Sequence, residues 1–417
     1  MTNEQALNER SYAAEARDLR LYVVAGEHSG DALGAKLMAA LSHGRRGRIR
    51  YLGVGGPQMA AAGLTSQFPI EDVAVMGPLA ILGRLPTIVR RINTAAAAAI
   101  TCEPDAVVII DSPEFTHPIA RRIRRRQPAI PIIDYVSPSV WAWRPGRANK
   151  MRAYIDHVLA LLPFEPEAHA GLNGPPCSYV GHPLIERLAW INELDPAPLA
   201  ARLGLGANTG LLVVLPGSRA SEVRRLIQPF GQALQRLIER GRQFEVAVPV
   251  VASVRRLIEG GVAGWPKTPH LLHGEDDKFA AFRLARAALA ASGTVALELA
   301  LAGTPMVIAY KVDPVAAPVL RRVIKAPSTV LPNLILGQRA IPEFHQEHCT
   351  PVKLADALSP LLEDTPERRQ QLAALAEVPT RMQLPMGTPS EAAAQIVLNY
   401  AEMGRGWPRP DVLRHSG

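Results

Sequence analysis

The sequence predicts an α/β fold made of two Rossmann-like domains, and three observations support this prediction. Short apolar runs alternate with longer amphipathic segments along most of the chain, which is typical of parallel strands wrapped by helices. Glycine-containing loops follow several of these runs, as they do where a strand turns into a helix. The length of 417 residues exceeds one ordinary hydrophobic core, so we expect two domains.

The first half of the chain contains one series of alternating elements. Strands are predicted at residues 19–25, 48–53, 106–110 and 130–135, with helices at 31–41 and around 95–100. A parallel sheet of this kind binds its ligands beyond the carboxyl ends of the strands, where the loops gather. We therefore look for functional side chains in the loops that follow these strands.

A loop-rich break precedes the second series. A loop at 171–176, a short strand at 178–180 and a turn at 181–183 lead to residues 195–198, which we predict to be a linker. Strands are then predicted at 211–215, 244–250, 270–272, 287–291 and 306–310. The expected organisation is a disordered tail (1–18), one domain at 19–190, a second at 191–385, and a cleft between the two. Within 386–417, a last helix is expected to cross back onto the first domain before a final tail.

Composition narrows the possible functions. The net charge is +8 and five arginines lie between residues 121 and 126, but aromatic residues are only 5% and no nucleic-acid motif is present, so we expect no nucleic-acid partner. An anionic membrane surface, an acidic substrate and a plain solvated helix face stay open. Three scattered cysteines indicate a reducing cytosol. Metal-ligand spacings are missing and we expect no metal or cofactor; residues 275–277, all acidic, are interpreted as a solvated turn.

The most informative stretch surrounds Ser292-Gly293-Thr294, which turns a buried strand into a helix. Backbone N–H groups and the helix dipole at such a start attract phosphate. Glu298 lies four residues after Thr294 on the same helix face, where its carboxylate could accept hydrogen bonds from ribose hydroxyls. The alternative is an ordinary crossover with a solvated glutamate.

A second loop of this type, residues 216–222, follows the strand at 211–215. It contains Ser218 and Arg219, and the arginine adds a permanent cation with forked donors suited to phosphate oxygens. Two such loops at one edge of a sheet predict a diphosphate site.

Asp111 directly follows the apolar run 107–110, so it stands at the carboxyl end of a buried strand. There it could act as a general base that takes a proton from an attacking hydroxyl. A capping role before Pro113 competes with this interpretation.

The loop at 26–31 follows the first strand and contains Glu27, Ser29 and Asp31. Its carboxylates would repel phosphate, and it lacks the glycine patterns of phosphate loops, so it either lines the floor of an acceptor pocket or forms a tight turn capped by Ser29 or Asp31.

Two apolar features complete the set of candidates. Trp141 and Trp143 share a loop with Ser-Pro flanks, which indicates either core filling or a loop near the cleft. Residues 75–83, including Met76, form an apolar stretch that is either core or, if exposed, a platform for acyl chains or a membrane surface. Residues 319–325 are a further basic amphipathic candidate for a membrane face, although a plain helix face is the favoured interpretation.

Together these loops resemble the lipid-A-disaccharide synthases, glycosyltransferases of Gram-negative bacteria. The resemblance runs from about residue 20 to residue 350 and is carried by nine segments in the family's order: 25–31, 53–59, 75–77, 110–115, 135–143, 162–165, 215–219, 291–294 and 331–334. The string Ser-Pro-Ser-Val-Trp-Ala-Trp at 137–143 is the most specific of them. His28 departs from the threonine that the family often has there.

The resemblance implies a GT-B fold and a cytoplasmic enzyme bound peripherally to the inner membrane. It implies an inverting, metal-independent transfer of diacylglucosamine from its UDP carrier to the 6-hydroxyl of diacylglucosamine 1-phosphate. It also implies that Asp111 is the base and that Arg219 and Asn333 lie on the nucleotide side. Glu298 corresponds to the ribose-binding acid, the first domain binds the acceptor, and the second binds the UDP-sugar.

Two other functions compete with this one. A UDP-N-acetylglucosamine epimerase would share the second-domain loops but would not need the apolar stretch of the first domain. A non-catalytic protein that binds sugar nucleotides or membrane surfaces would not need Asp111 as a base.

Overall fold

Strands and helices alternate along the chain in the computed structural model, which describes residues 17–45, 47–74, 78–206, 209–313 and 326–406. Two compact units divide the chain, one before residue 184 together with the segment from residue 384 on, the other Leu184–Gln383. Each unit contains one parallel sheet with helices, so the predicted α/β class with two parallel sheets is confirmed. No helix in these ranges combines the length and apolar character needed to cross a bilayer.

The first sheet has seven strands in the order β3-β2-β1-β4-β5-β6-β7. Their bounds are β1 Leu19–Ala25, β2 Ile49–Val54, β3 Thr65–Ser66, β4 Ala106–Ile110, β5 Ile132–Tyr135, β6 His157–Ala160 and β7 Cys177–Tyr179. Strand β4 is buried along its whole length and its sequence is uniformly apolar, as expected for a central parallel strand covered on both faces. The order of the first six strands is that of a Rossmann sheet, whose topological switch point lies between β1 and β4.

Within the described residues, seven helices accompany this sheet. Their bounds are α1 His28–His43, α2 Pro57–Ala61, α3 Pro78–Cys102, α4 Pro113–Arg126, α5 Gly146–Met151, α6 Glu165–Gly171 and, from the end of the chain, α16 Pro389–Met403. Helix α16 belongs to the first core, because Ala393, Val397 and Tyr400 are buried in the same cluster as the central strands. Tyr400 Oη also lies 3.0 Å from Nδ1 of His157, at the start of β6.

The second sheet has six strands in the order β10-β9-β8-β11-β12-β13. Their bounds are β8 Gly210–Leu215, β9 Phe244–Pro249, β10 His270–Leu272, β11 Ala285–Ala291, β12 Met306–Tyr310 and β13 Glu343–His345. This is the Rossmann order again, and the switch point here lies between β8 and β11. The ends of these two adjacent strands therefore mark the place where a ligand is expected.

Nine helices within the described ranges surround the second sheet. They are α7 Leu188–Glu193, α8 Ala197–Arg202, α9 Ala220–Glu239, α10 Arg255–Val262, α11 Glu275–Leu284, α12 Val295–Leu301, α13 Leu331–Leu336, α14 Pro351–Leu358 and α15 Pro366–Met382. Short 3₁₀ turns lie at Ile70–Asp72, Pro183–Arg187, Ala252–Val254, Gln346–His348, Ser359–Leu362 and Gly404–Gly406. Helix α9 packs its buried side chains, such as Leu226, Phe230 and Leu234, into the second core.

Two local predictions were wrong. The segment 195–198, predicted as a linker, enters helix α8, and the Asp195 carboxylate accepts a hydrogen bond from the N–H of Ala197 at 2.9 Å. Residues 275–277, interpreted as a solvated turn, form the first turn of helix α11. Three acidic residues after Gly274 favour a helix start, because carboxylates are stabilised by the positive end of the helix dipole.

Candidate active site

A cavity of about 500 Å³ lies at the switch point of the second sheet. Its walls come from the ends of β8, β9, β10 and β11 and from the segments that follow them. Six of the seven residues predicted on the nucleotide side line this cavity: Ser218, Arg219, Ser292, Gly293, Thr294 and Glu298. These six residues follow two strands that are far apart in the chain and adjacent in the sheet.

Asn333 is the predicted nucleotide-side residue that does not line the cavity. Its side chain is 2% exposed and pairs with the backbone of Ile341 in both directions. The amide nitrogen donates to the Ile341 carbonyl at 2.9 Å, and the side-chain oxygen accepts from the Ile341 N–H at 2.9 Å. Asn333 thus holds the segment after α13 in place in this structure.

The carboxylate of Glu222 binds the backbone of the loop at residues 217–219. Glu222 Oε2 accepts hydrogen bonds from the N–H groups of Ser218 and Arg219 at 3.2 and 3.3 Å, and Arg219 Nη1 donates to Glu222 Oε1 at 3.0 Å. Gly217 is required here because its φ is +122° and a Cβ would lie 2.6 Å from the Glu222 Cβ. A phosphate bound to these N–H groups would therefore compete with Glu222, whereas the exposed Arg219 guanidinium stays accessible.

Sequence reasoning missed two charged residues of this cavity. Lys278 and Glu275, both on α11, line it together with Glu298. Burial raises the pKa of Glu298, and the nearby Lys278 ammonium opposes that effect. The acidic helix start before Lys278 was the signal that could have placed α11 at the site.

Asp111 lies at the carboxyl end of β4, at the switch point of the first sheet. Its backbone is left-handed, with φ +52°, and the following Ser112 is also left-handed, with φ +44°. One carboxylate oxygen accepts a hydrogen bond from the Ser112 N–H at 2.7 Å. Two successive non-glycine residues in this uncommon conformation re-aim the chain between β4 and α4, and such strain is often found at functional sites.

The electrostatic surroundings of Asp111 suit a base. Burial raises the pKa of the Asp111 carboxyl, the Ser112 N–H opposes the shift, and the carboxylates of Glu27 and Asp134 raise it further. A raised pKa makes a carboxylate a stronger proton acceptor. The arrangement can therefore take a proton from a hydroxyl group that reaches Oδ2.

The loop after β1 contains both exposed and buried polar side chains. Glu27 and Ser29 are exposed at the start of α1, and Glu27 is close enough to act on the Asp111 carboxyl. Asp31 is 1% exposed, and its carboxylate accepts from the N–H groups of Gly56, Gln58 and Met59 at 2.7, 3.0 and 3.0 Å. Asp31 is therefore a capping residue, as one of the two interpretations of this loop proposed. It caps the start of α2 and not its own helix.

The tryptophan loop follows β5, the neighbour of β4. Trp141 is partly buried, and its Nε1 donates to the Glu165 carboxylate at 3.1 Å. Burial raises the pKa of Glu165 to about 7, although the Trp141 and Leu162 N–H groups oppose the shift. Trp143 is 38% exposed, and the Arg144 guanidinium lies 4.4 Å from its ring centre. Glu165 is a further residue that sequence reasoning did not single out as a site residue, although it ends the segment 162–165 that carries part of the family resemblance.

Some predicted residues lie outside the described ranges. Met76 is one of them, and so is the whole of the basic segment at 319–325. The neighbouring helix α3 carries Leu85 and Val89 one turn apart, and these side chains are 48% and 42% exposed. The described part of this region therefore presents an apolar surface to solvent.

Comparison with known sequences finds the same enzyme family in each case. The family model described as lipid-A-disaccharide synthetase matches residues 21–397. A lipid-A-disaccharide synthase of Bradyrhizobium diazoefficiens is 50% identical over 386 residues, covering 93% of this chain and 97% of the relative. The same enzyme of Nitrobacter winogradskyi is 52% identical, covering 93% and 96%.

Solved structures share the fold at low sequence identity. A UDP-GlcNAc 2-epimerase of Neisseria meningitidis, bound to UDP-GlcNAc, aligns with a TM-score of 0.59 and 11% identity, covering 92% of this chain and 99% of that one. The calicheamicin glycosyltransferase CalG4 aligns with a TM-score of 0.52 and 17% identity, covering 94% and 100%. These likenesses confirm the predicted GT-B type of fold.

Proposed function

This chain belongs to the lipid-A-disaccharide synthase family, and we propose that it transfers 2,3-diacylglucosamine from UDP-2,3-diacylglucosamine to 2,3-diacylglucosamine 1-phosphate. It is a glycosyltransferase of lipid A biosynthesis, as the resemblance implied. The products would be the β-1,6-linked disaccharide 1-phosphate and UDP. The observation that carries the proposal is the cavity at the second switch point, where Arg219 and Glu298 stand together as a diphosphate and ribose site requires.

The proposed reaction is a single displacement. Asp111 takes the proton from the 6-hydroxyl of the acceptor as that oxygen forms a bond to C1 of the donor sugar. The bond between C1 and the diphosphate oxygen breaks, and UDP leaves with the bonding electrons. Attack from the side opposite the leaving group inverts the configuration at C1. Arg219 and the loop at 292–294 would stabilise the charge that develops on the departing diphosphate.

Mass analysis of products tests this proposal. We expect the protein to convert the two diacylated substrates into a species whose mass is their sum minus that of UDP, and NMR should show the β configuration. Unacylated UDP-N-acetylglucosamine serves as the control substrate, which an epimerase would convert to its 2-epimer. Epimer formation without any disaccharide would reject the transferase in favour of the epimerase. The epimerase likeness, at 11% identity, supports the fold alone.

Peripheral attachment to the cytoplasmic face of the inner membrane is part of the proposal. Both substrates carry acyl chains, and exposed Leu85 and Val89 on α3 lie beside the exposed Arg84 and Arg90. Apolar side chains flanked by cations suit an anionic lipid surface. We expect the protein to sediment with vesicles containing anionic lipid and to be released by high salt. A Leu85→Ser/Val89→Ser variant should bind less, and sedimentation equal to that of the parent protein would exclude this surface.

A further inference from the structure

We propose that Lys278 is a positioning residue that holds the Glu298 carboxylate ionised and in place for ribose, so that the cavity prefers ribonucleotides over 2′-deoxyribonucleotides. This inference rests on the proposed donor site, because it assumes that Glu298 faces the ribose of a nucleotide. It assigns a role to a residue that does not itself need to touch the sugar.

The contacts of Lys278 carry the argument. Its Nζ lies 3.3 and 3.2 Å from the two carboxylate oxygens of Glu298 and 2.8 Å from Oε1 of Glu275. Glu275 Oε2 in turn accepts a hydrogen bond from Arg187 Nη1 at 2.9 Å. Cation and anion thus alternate from Arg187 through Glu275 and Lys278 to Glu298. A side chain bridged to two carboxylates is restricted in its own position and restricts theirs.

Partial burial strengthens the effect of these alternating charges on Glu298. The side chains of Lys278 and Glu298 are only 18% and 17% exposed, so water screens their interaction less than it would at the surface. Burial raises the pKa of Glu298 and Glu275 raises it too, whereas Lys278 and the more distant Arg187 lower it. Lys278 is therefore the main group that opposes the rise in the pKa of Glu298 and favours its ionised form.

The ionised form is the one that ribose recognition needs. A carboxylate only accepts hydrogen bonds and can take one from each of two neighbouring hydroxyls, whereas a carboxylic acid donates from one of its oxygens. A 2′-deoxyribose offers one hydroxyl fewer. Discrimination between the two sugars thus depends on both Glu298 oxygens acting as acceptors.

Helix α11 is held in the fold mainly by buried aromatic side chains, and Lys278 adds one contact, its Nζ lying 4.7 Å from the Phe279 ring centre. Phe279 and Phe282 are fully buried and pack edge to face with ring centres 5.4 Å apart. Arg187 stacks on the Phe279 ring at 4.9 Å as well as bonding Glu275. Replacing Lys278 should therefore change the charge of the cavity without displacing the helix.

Calorimetric titration with UDP and 2′-deoxy-UDP tests the inference. The parent protein should bind UDP about tenfold more tightly, as expected for one hydrogen bond to a charged group. In Lys278→Met this ratio should fall to within about twofold. Loss of the Lys278 ammonium should raise the pKa of Glu298 further, so as the pH is lowered the UDP affinity of Lys278→Met should begin to fall at a higher pH than that of the parent protein. Lys278→Arg, which keeps the cation, should retain most of the preference.

Two further variants serve as controls for Lys278→Met. Lys267 donates to Glu245 at 2.8 Å outside the cavity, so Lys267→Met removes a similar pair and should leave the ratio unchanged. Arg219→Ala should weaken UDP and 2′-deoxy-UDP equally, by about 30-fold, because phosphate contacts do not distinguish the sugars. Melting temperatures verify that each variant is folded.

The possible results test the role of Lys278 and the donor site separately. An unchanged ratio in Lys278→Met would overturn the role of Lys278 while leaving the donor site intact. Equal loss of both ligands in that variant would also overturn it, and would assign Lys278 to the diphosphate instead. A parent protein that binds neither ligand would overturn the donor site itself.

Discussion

Replacing Asp111 with asparagine is expected to lower turnover by ~100-fold or more and to leave UDP binding unchanged. An amide cannot take the proton of the acceptor hydroxyl, but its oxygen can still accept the 2.7 Å hydrogen bond from the Ser112 N–H. Asparagine also tolerates the left-handed conformation at φ +52° better than most residues do. The variant should therefore keep the local structure and lose only the base.

The pH profile strengthens this test. Because burial raises the pKa of Asp111, kcat/KM of the parent enzyme should be lost as the pH falls through that pKa, when the carboxyl becomes protonated. The residual activity of Asp111→Asn should lack this acid limb. Asp72→Asn is a suitable control, since Asp72 pairs with Arg91 away from β4. Turnover equal to that of the parent enzyme would remove Asp111 from the mechanism.

Replacing Asp156 with alanine is expected to destabilise the first unit by about 3–5 kcal/mol, the usual result of removing one partner of a buried ion pair. Asp156 precedes β6, and its Oδ2 pairs with the Arg124 guanidinium at the end of α4 and accepts from the Ile132 N–H at 2.8 Å. The two side chains are 4% and 6% exposed. Arg124 also donates to the Ile130 carbonyl at 2.9 Å, so it is fixed in place and would stay buried after losing the Asp156 carboxylate.

Hydrogen exchange locates this effect. Peptides from the first sheet should exchange faster in Asp156→Ala, whereas those from Leu184–Gln383 should be unaffected. Arg17→Ala removes an ion pair of the same unit, but Arg17 is 63% exposed and its partner Asp105 keeps the hydrogen bond from the Arg20 N–H, so the loss should stay below about 1 kcal/mol. Equal urea midpoints for the two variants would show that the Arg124–Asp156 pair contributes no more than a surface pair.

Local patterns predicted much of the fold. The runs at 107–110 and 211–215 are wholly apolar because parallel strands are covered on both faces, and this makes such strands visible in sequence. The loops after them were predicted for the same reason, and so were Asp111 and Arg219. Strand order was not predicted, because pairing such as that of β8 with β11 joins segments whose separation in the chain carries no local signal.

The residues that sequence reasoning missed share one property. Glu165 and Lys278 act through side-chain contacts with partners about 20 residues away, so their importance depends on how helices and loops pack. Asp31 shows the opposite error, since a loop carboxylate that looked suited to a ligand serves the backbone of α2. A single sequence indicates where polar groups gather but does not show which of them the protein itself uses.

Because helix α16 is synthesised last, the first unit cannot complete its core until the second unit has been made. Its buried side chains complete the core around β1 and β4, yet they follow the whole of Leu184–Gln383 in the chain. During translation the second unit has all its residues before the first unit has its last helix. Until α16 emerges from the ribosome, the amino-terminal sheet keeps an uncovered apolar face, although almost every other residue of that unit was made first.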